Sequence, residues 1–600
     1  MSKPLETYQK RKEVYSNLFD KQNKKISKIT NMRLIVALAG IVNIGILYIR
    51  QRYSFIYYIL LAYIVLFTYL VIEHNKLKYN NKYFDVLNKI NEDGLQRLQG
   101  DWNKFKDTGL EFEDNNHSFS SDLDIFGQGS LFQYINTTTT YMGRNILNKY
   151  LTKPCKTKKE IIKRQNAIKE LSDRLSWRQR FMAEGLMIED KSSDNEDLYN
   201  FFETEYETYR KPWIISISRI IPIIMIGFIL LYIFKIIPFH ILILIFAAQS
   251  FIFIYKFEGR SKNLNLVYEY ENNIKAYSKM LYQLEKGNFQ SKYLLELKDK
   301  LIDDNGLTAY QQIKELETIV ENISNRKNIY FFIINIITLW DYQSMIALER
   351  WKGKSGHLIR TWLDTIGEFE ALSSLSNLNY DNPDWVTPTI TEKNDYIKGK
   401  DMAHPLIIED SVSNDFKIED PTKVLLITGS NMSGKSTYLR TTGINLVLAY
   451  IGAPVCANRF TCNIFNIYTC MRVSDNLEKN ISSFYAELLR IKEIVDKSKG
   501  NKVFFLLDEV FKGTNSHDRH EGAKILIKKL LNNDAIGLVS THDLELGELE
   551  RESNNKIKNY HFKEYYKDNE IYFDYKLNRG ISTTRNAMYL INMIGIDNEK

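Results

Sequence analysis

Four apolar runs break the first half of this chain into alternating charged and uncharged stretches. Residues 53–72 and 236–255 each extend for about twenty positions without an acidic or basic side chain. A helix of about 20 apolar residues spans the hydrocarbon core of a bilayer. Each run has an apolar neighbour just upstream, residues 34–49 and 213–234. The second neighbour carries Arg219 near one end, where a long basic side chain can snorkel to the interface. Arg50-Gln51-Arg52 and Lys235 separate the partners of each pair, and Tyr48, Tyr53, Trp213, Tyr232 and Tyr255 lie at the run ends, as in an aromatic belt. The pattern predicts four transmembrane helices in two hairpins, with the lipid bilayer as a partner. Two hairpins buried inside a large helical protein are the alternative. A fifth run, residues 331–339, is too short to span and is expected in the core.

Charge sets the orientation. Residues 1–33 carry nine Lys and Arg, against two at the first tip, so the N-terminus and the soluble parts are expected in the cytoplasm of a multi-pass membrane protein. The first apolar run follows some thirty polar and charged residues, unlike a signal peptide.

Elsewhere the first two thirds read as helical. Residues 75–107 form a charged amphipathic segment leaving the membrane. Ile161, Ile162, Ala167 and Leu171 keep helical apolar spacing. Between residues 256 and 375, Glu/Lys pairs at i,i+4 spacing suggest extended, solvated helical arms rather than a compact unit.

Composition narrows the classes. Six hundred residues suit three or four structural units. Eighty Lys and Arg against 73 Asp and Glu give a net charge of +7, compatible with nucleic acid without demanding it. The four cysteines, Cys155, Cys456, Cys462 and Cys470, have no CxxC spacing, so they read as reduced thiols with no zinc site.

The chemistry concentrates in the last third. An apolar strand at residues 424–428 leads into Gly429-Ser430-Asn431-Met432-Ser433-Gly434-Lys435-Ser436, and a helix opens at Lys435. Glycines at 429 and 434 let the backbone turn its N–H groups toward phosphates, Lys435 reaches the β- and γ-phosphates, and the Ser436 hydroxyl can ligate Mg2+. A second apolar strand ends in Asp508-Glu509. Ligands sit at the carboxyl ends of such strands, which makes Asp508 a candidate Mg2+ partner through water and Glu509 the candidate base. A third strand ends in Ser540-Thr541-His542-Asp543, placing His542 where it can sense a γ-phosphate.

These segments resemble the MutS family of DNA mismatch repair ATPases, of the ABC-type nucleotide-binding class. The resemblance rests on residues 428–437, which add Thr437 to the loop, with Asn431-Met432 as a family feature that generic phosphate loops lack. It rests also on residues 449–455, 480–488, Asp508-Glu509, residues 513–516 and Thr541-His542-Asp543. Upstream, residues 129–154, 368–375 and 403–406 resemble the start and end of the family's helical core and the entry to its ATPase domain. The resemblance implies ATP and Mg2+ as cofactors, a homodimer through the ATPase domains, and Ser482 and Ser483 offered to the nucleotide of the second subunit. It implies Phe416 and Tyr575 as rings flanking the adenine. It also implies binding of mismatched or branched DNA, although no wedge of the Phe-x-Glu type stands in a fitting context. Two departures accompany it: Phe511-Lys512-Gly513-Thr514 replaces the usual Gly-Arg-Gly-Thr, and little chain follows Gly595 to form a C-terminal dimerisation extension.

The expected fold is multidomain, an α/β ATPase domain of the P-loop, ABC type joined to an all-α core and lever domain. Residues 1–31 form a cytoplasmic segment, 32–73 the first membrane hairpin, 74–212 the first part of the core and 213–255 the second hairpin. Residues 256–394 complete the core and lever, and 395–600 form the ATPase domain. In this layout the second hairpin stands where the family's DNA-clamping arms would extend. Two rival functions are a membrane-organising scaffold ATPase without DNA contact and, with fewer supporting features, an ABC-type transporter.

Overall fold

The computed structural model describes residues 2–188, 195–204, 207–324, 326, 331–392, 396–408, 410–472, 483–567 and 570–582. Two antiparallel helices, Lys3–Ile49 and Tyr53–Leu98, build the first hairpin. At 1.5 Å per residue, each is about 70 Å long. Its inner end is bolted to the core. Tyr8 donates its hydroxyl to Asp381 at 2.8 Å, and Arg97 donates to the other oxygen of the same carboxylate at 3.1 Å. Gly94 makes the close approach possible, since a Cβ there would lie 2.8 Å from the Tyr8 ring. The outer end carries the apolar run, and its side chains point outward, with Ile49 80% exposed. The segment leaving the hairpin ends its helix at Leu98, short of the expected residue 107, where Gly100 turns left-handed at φ 88°.

The second hairpin pairs Pro212–Ile233 with Phe239–Ile254. Its second helix is only 16 residues and breaks at Lys256, which adopts φ +50°, before Phe257–Glu269 continues at 66° to it. Among the described residues, three continuous helices are therefore long and apolar enough to cross a membrane, against the four expected. The count rises to five if each of two bent pairs is taken as one span. The second bent pair contains Phe331–Thr338, the run expected in the core. That expectation holds for one side of the run only: Ile336 and Leu339 enter the shared core, whereas Phe332 and Ile333, on a helix packed against the second hairpin, are each 58% exposed. Backbone groups freed at the breaks are met by buried side chains. Gln249 donates to the carbonyls of Ile336 and Ile337, and Arg260 to that of Tyr255. Satisfying broken-helix carbonyls in this way is what an apolar environment requires.

Between the hairpins and after them lies the helical core. The helix Ile359–Asp381 runs through its centre and is buried for most of its length. Tyr141–Thr152 and Lys158–Ser172 pack against it, each started by a threonine cap, Thr140 and Thr157. The expectation of extended arms over residues 256–375 does not hold. Glu271–Lys286, Ala309–Ser324 and Trp340–Ser355 are 16-residue helices that bury Leu281, Leu316 and Trp351 in one shared core. Lys275 and Glu271 pair at a part-exposed edge, whereas Glu349 and Lys352 pair at 3.2 Å inside the core, so charge spacing alone does not report which face is buried.

Among the described residues, ten strands follow: β1 (Thr389–Ile390), β2 (Ile397–Met402), β3 (Asn414–Ile418), β4 (Val424–Thr428) and β5 (Arg459–Cys462), then β6 (Asn466–Cys470), β7 (Val503–Asp508), β8 (Ile536–Thr541), β9 (Ile557–Lys567) and β10 (Glu570–Arg579). One sheet has the order β1-β5-β2-β3 and the other β10-β9-β4-β8-β7-β6. In the larger sheet β9, β4, β8, β7 and β6 run parallel, and β10 closes one edge antiparallel. All six residues of β7 are buried. Phe504 and Leu506 enter the core shared with the helix Lys435–Tyr450, whereas Phe505 and Leu507 enter a second core with the helix Ser516–Asn532. Cover on both faces is why the strand reads as an unbroken apolar run. The chain is thus multidomain, with a helical part and a mixed helix-and-sheet part.

Candidate functional site

Sheet register assembles the site. Thr428 at the end of β4 pairs with Thr541 of β8, and Asp508 at the end of β7 pairs with Ser540. The next residues along each strand, Gly429, Glu509 and His542, therefore leave the sheet at one edge. The loop after β4 turns on Gly429 at φ 154°, Met432 at φ 65° and Gly434 at φ 101°. Two of its hydroxyls, Ser430 Oγ and Ser433 Oγ, are buried without a hydrogen-bond partner. Met432 is 85% exposed and Asn431 is also exposed, so this pair forms the outer lip of the loop. Ser436 and Thr437 follow in the first turn of the helix Lys435–Tyr450.

Lys435 folds back over the loop. Its ammonium donates to the carbonyls of Gly429 at 3.0 Å and Ser430 at 2.8 Å and stands 3.8 Å from Glu509 Oε1. Burial lowers its pKa. Glu509 is gripped from two sides: His542 Nε2 lies 2.7 Å from Oε1, and Lys512 Nζ lies 3.1 Å from Oε2. His542 first, then Lys512, hold its carboxyl down at about 2. Glu509 also adopts φ +50°, a costly conformation for a side chain of this type and one that clusters at functional sites. Asp508 accepts a hydrogen bond from the Ser540 hydroxyl, which orients its carboxylate along the same edge.

A cavity of about 590 Å³ opens over the loop, lined by residues 430–438, Glu509 and Tyr575 among others. Tyr575 is 44% exposed, adopts φ +51° and lies across Gly434, where a Cβ would come within 3.1 Å of its ring. A ring there fits the expected stacking role. Phe416 does not. It is 1% exposed and packs edge-on against Phe504 at 6.5 Å between centroids, so its face is already taken by the core. β3 reaches the cavity through Asn414 instead, whose side chain donates to the Tyr575 carbonyl at 2.9 Å and accepts from the Leu577 N–H at 2.8 Å. Ser482 lies outside the described residues. Ser483 begins the helix Ser483–Ser498.

Lys512 was visible in the sequence only as a departure from a pattern. Its place beside Glu509 follows from Phe511, which adopts φ +63° and buries its ring, turning the next side chain back to the acid. The pair His520 and Asp543, 2.7 Å apart, extends the polar edge beyond His542 and had no signal in spacing alone.

The loop fits phosphate and Mg2+. Buried hydroxyls without protein partners, a lysine ammonium held over the loop by its carbonyls, and an oriented Asp508 are the side chains such a group needs.

Comparison with known proteins agrees with this geometry. Residues 109–496 match the family model of MutS domain III, and residues 425–599 match that of MutS domain V. The DNA mismatch repair protein MutS of Persephonella marina is 26% identical over 531 residues, covering 78% of this chain and 57% of that protein. The DNA mismatch repair protein MSH3 of Debaryomyces hansenii is 32% identical over 249 residues, covering 39% of this chain and 24% of that protein. The MutS of Methanosarcina acetivorans is 28% identical over 266 residues, 43% of this chain and 29% of its own. The chain thus spans between about a quarter and somewhat over half of these relatives. With a domain III model matching well over half of its residues, the chain belongs to the MutS family.

Proposed function

We propose that this protein is a membrane-anchored, Mg2+-dependent ATPase of the P-loop, ABC type that works as a homodimer. The observation that carries the reading is the convergence of Lys435, Glu509 and His542 at one sheet edge, beneath a glycine-turned loop and a tyrosine ring. ATP would lie with its adenine against Tyr575 and its phosphates along residues 429–437. Lys435 would then exchange its loop carbonyls for phosphate oxygens. Mg2+, held by Ser436 and through water by Asp508, would neutralise charge on the phosphates. Glu509, kept ionised by His542 and Lys512, would orient the attacking water and accept its proton. His542 would stay within reach of the γ-phosphate, and Ser482 and Ser483 of a second copy would complete the pocket. Closing and opening of that interface would be transmitted through the helical core to the two hairpins.

The outward-facing apolar ends of both hairpins support the lipid bilayer as a partner and a multi-pass location with the ATPase domain in the cytoplasm. Mismatch repair in the names of the relatives supports DNA as a ligand. A second reading, an ATPase that organises membrane without touching DNA, is favoured by the second hairpin, since it occupies the chain where clamping arms are expected.

The test uses full-length protein purified in detergent. Lys435→Ala should abolish ATP binding. Glu509→Gln should keep binding, trap a dimer and slow hydrolysis by about 10²- to 10⁴-fold. Ordinary turnover by Glu509→Gln removes that residue as the base. Extraction from membranes by alkaline carbonate without detergent would remove the anchor. Titration with mismatched, branched and perfect duplex DNA across salt concentrations separates the two readings, because phosphate contacts make affinity fall steeply with salt.

A further inference from the structure

The helix Lys435–Tyr450 begins at the phosphate loop and ends at a second cavity, of about 720 Å³, that no role above uses. Its walls come from the connection between Tyr141–Thr152 and Lys158–Ser172, from the strand β6 and its lead-in, and from Tyr293 and Tyr450. Four basic residues line it, Lys153, Lys156, Lys163 and Arg164, against one acid, Glu160. Lys163 is neutralised by Glu296 at 2.8 Å. Among the described residues, Lys153, Lys156 and Arg164 form no ion pair. The charge of nearby Glu368 acts on Arg164, but its carboxylate forms no ion pair with it and instead accepts the hydroxyls of both Tyr150 and Tyr293.

Arg164 is the most telling group. Its guanidinium lies 3.5 Å from the centroid of the Tyr150 ring, which fixes its plane. Its Nη1 is buried with no hydrogen-bond acceptor. A buried charged donor left unsatisfied is costly, and a stacked, planar guanidinium is suited to bidentate recognition of phosphate. The 15-residue helix Lys158–Ser172 starts at the rim, and its N-terminal end adds a favourable partial charge for an anion. At the opposite wall the Tyr450 carbonyl, last of the phosphate-loop helix, is capped by the Cys155 N–H at 3.2 Å. The negative end of that helix is thereby partly met by protein.

We propose that this cavity is a second anion site, built for a phosphate-bearing small molecule and separate from the nucleotide loop. Arg164 supplies the oriented donors, and Lys153 and Lys156 supply the surrounding charge. The volume lies within the range of small-molecule sites, about 300–1,000 Å³.

The test is calorimetric titration of inorganic pyrophosphate into full-length, detergent-solubilised Lys435→Ala protein, in which the nucleotide loop cannot account for binding. Saturable binding of about one pyrophosphate per chain is expected. Adding Arg164→Gln should weaken it by about tenfold or more, the scale of a charged hydrogen bond. Because Arg164 is packed on Tyr150, Lys153→Gln with Lys156→Gln provides a second arm at exposed positions. That pair should weaken binding severalfold and flatten its dependence on salt. Absence of saturable binding, or binding untouched by the lysine pair, overturns the assignment.

Discussion

Phe511 donates its backbone N–H to the carboxylate of Glu487, a residue of the helix Ser483–Ser498. The bond joins two segments far apart in sequence, and both matter to the site. Ser483–Ser498 follows directly on the stretch expected to reach the second subunit, and Phe511 sits between Glu509 and Lys512. Gly513 tightens the same joint, since a Cβ there would lie 2.7 Å from Phe484. A shift of that helix would be felt at Glu509 through this hydrogen bond and the short chain segment between Phe511 and Glu509.

Removing the acceptor should therefore loosen the joint. Glu487→Ala leaves the Phe511 N–H buried and unpaired, at a cost of about 1–3 kcal/mol. Glu487→Gln keeps an acceptor oxygen and should restore most of the loss. Melting temperatures of the three proteins check this. Equal destabilisation by Ala and Gln would show that charge, not the hydrogen bond, matters.

Glu509 makes stability depend on acid in a defined window. Its carboxyl is depressed from 4.5 to about 2 in the folded protein, by His542 first and Lys512 second. A depressed carboxyl contributes stability that is fully present above its unfolded pKa. That contribution is lost as pH falls through its folded pKa. The difference in stability between wild type and Glu509→Gln should thus be constant near neutrality and shift against the wild type between about pH 4.5 and pH 2. Acid melts of both proteins read it directly, and parallel curves across that window would contradict the ion cluster.

Tyr575 should contribute to nucleotide affinity through its ring and not its hydroxyl. Tyr575→Ala is expected to weaken ATP binding by about three- to tenfold, and Tyr575→Phe to leave it unchanged. Phe416→Leu, at a fully buried position, should lower stability without changing the affinity of the folded fraction. Binding isotherms combined with thermal melts distinguish the two rings.

At the other end of the molecule, Arg97 and Asp381 are an ion pair whose side chains are 5% and 0% exposed. Arg97→Met strands a carboxylate in the core, and breaking such a pair from one side costs about 3–5 kcal/mol. The hairpin base should come loose, seen as a lower melting temperature and faster proteolysis near residue 98. Replacing both partners by apolar residues should recover much of the loss. A single Arg97→Met as stable as wild type would show that the hairpin is held elsewhere.

The sequence alone determined those parts of the protein whose physics is local. The turn of residues 429–436 is legible because Gly429 and Gly434 sit where only a left-handed or strained backbone will turn, beside a lysine and a serine at fixed spacing. The buried strands before Asp508 and His542 are legible because a strand covered on both faces must be apolar throughout. Long uncharged runs likewise announce themselves, and three of them became continuous helices long enough to span. What only the tertiary structure decided depends on which surfaces meet. Phe416 and Tyr575 look equally suited to stacking, yet one ring is spent on Phe504 and the other lies open over the loop. The apolar run at Phe331–Thr338 buries Ile336 and leaves Phe332 and Ile333 exposed because it packs at the edge where the hairpin helices meet the core. The charged helices after residue 256 are compact because their apolar faces find one another. Lys512 reaches Glu509 only because Phe511 buries its ring and turns the chain. Such choices rest on pairings between distant segments, and these leave no periodic trace along the chain.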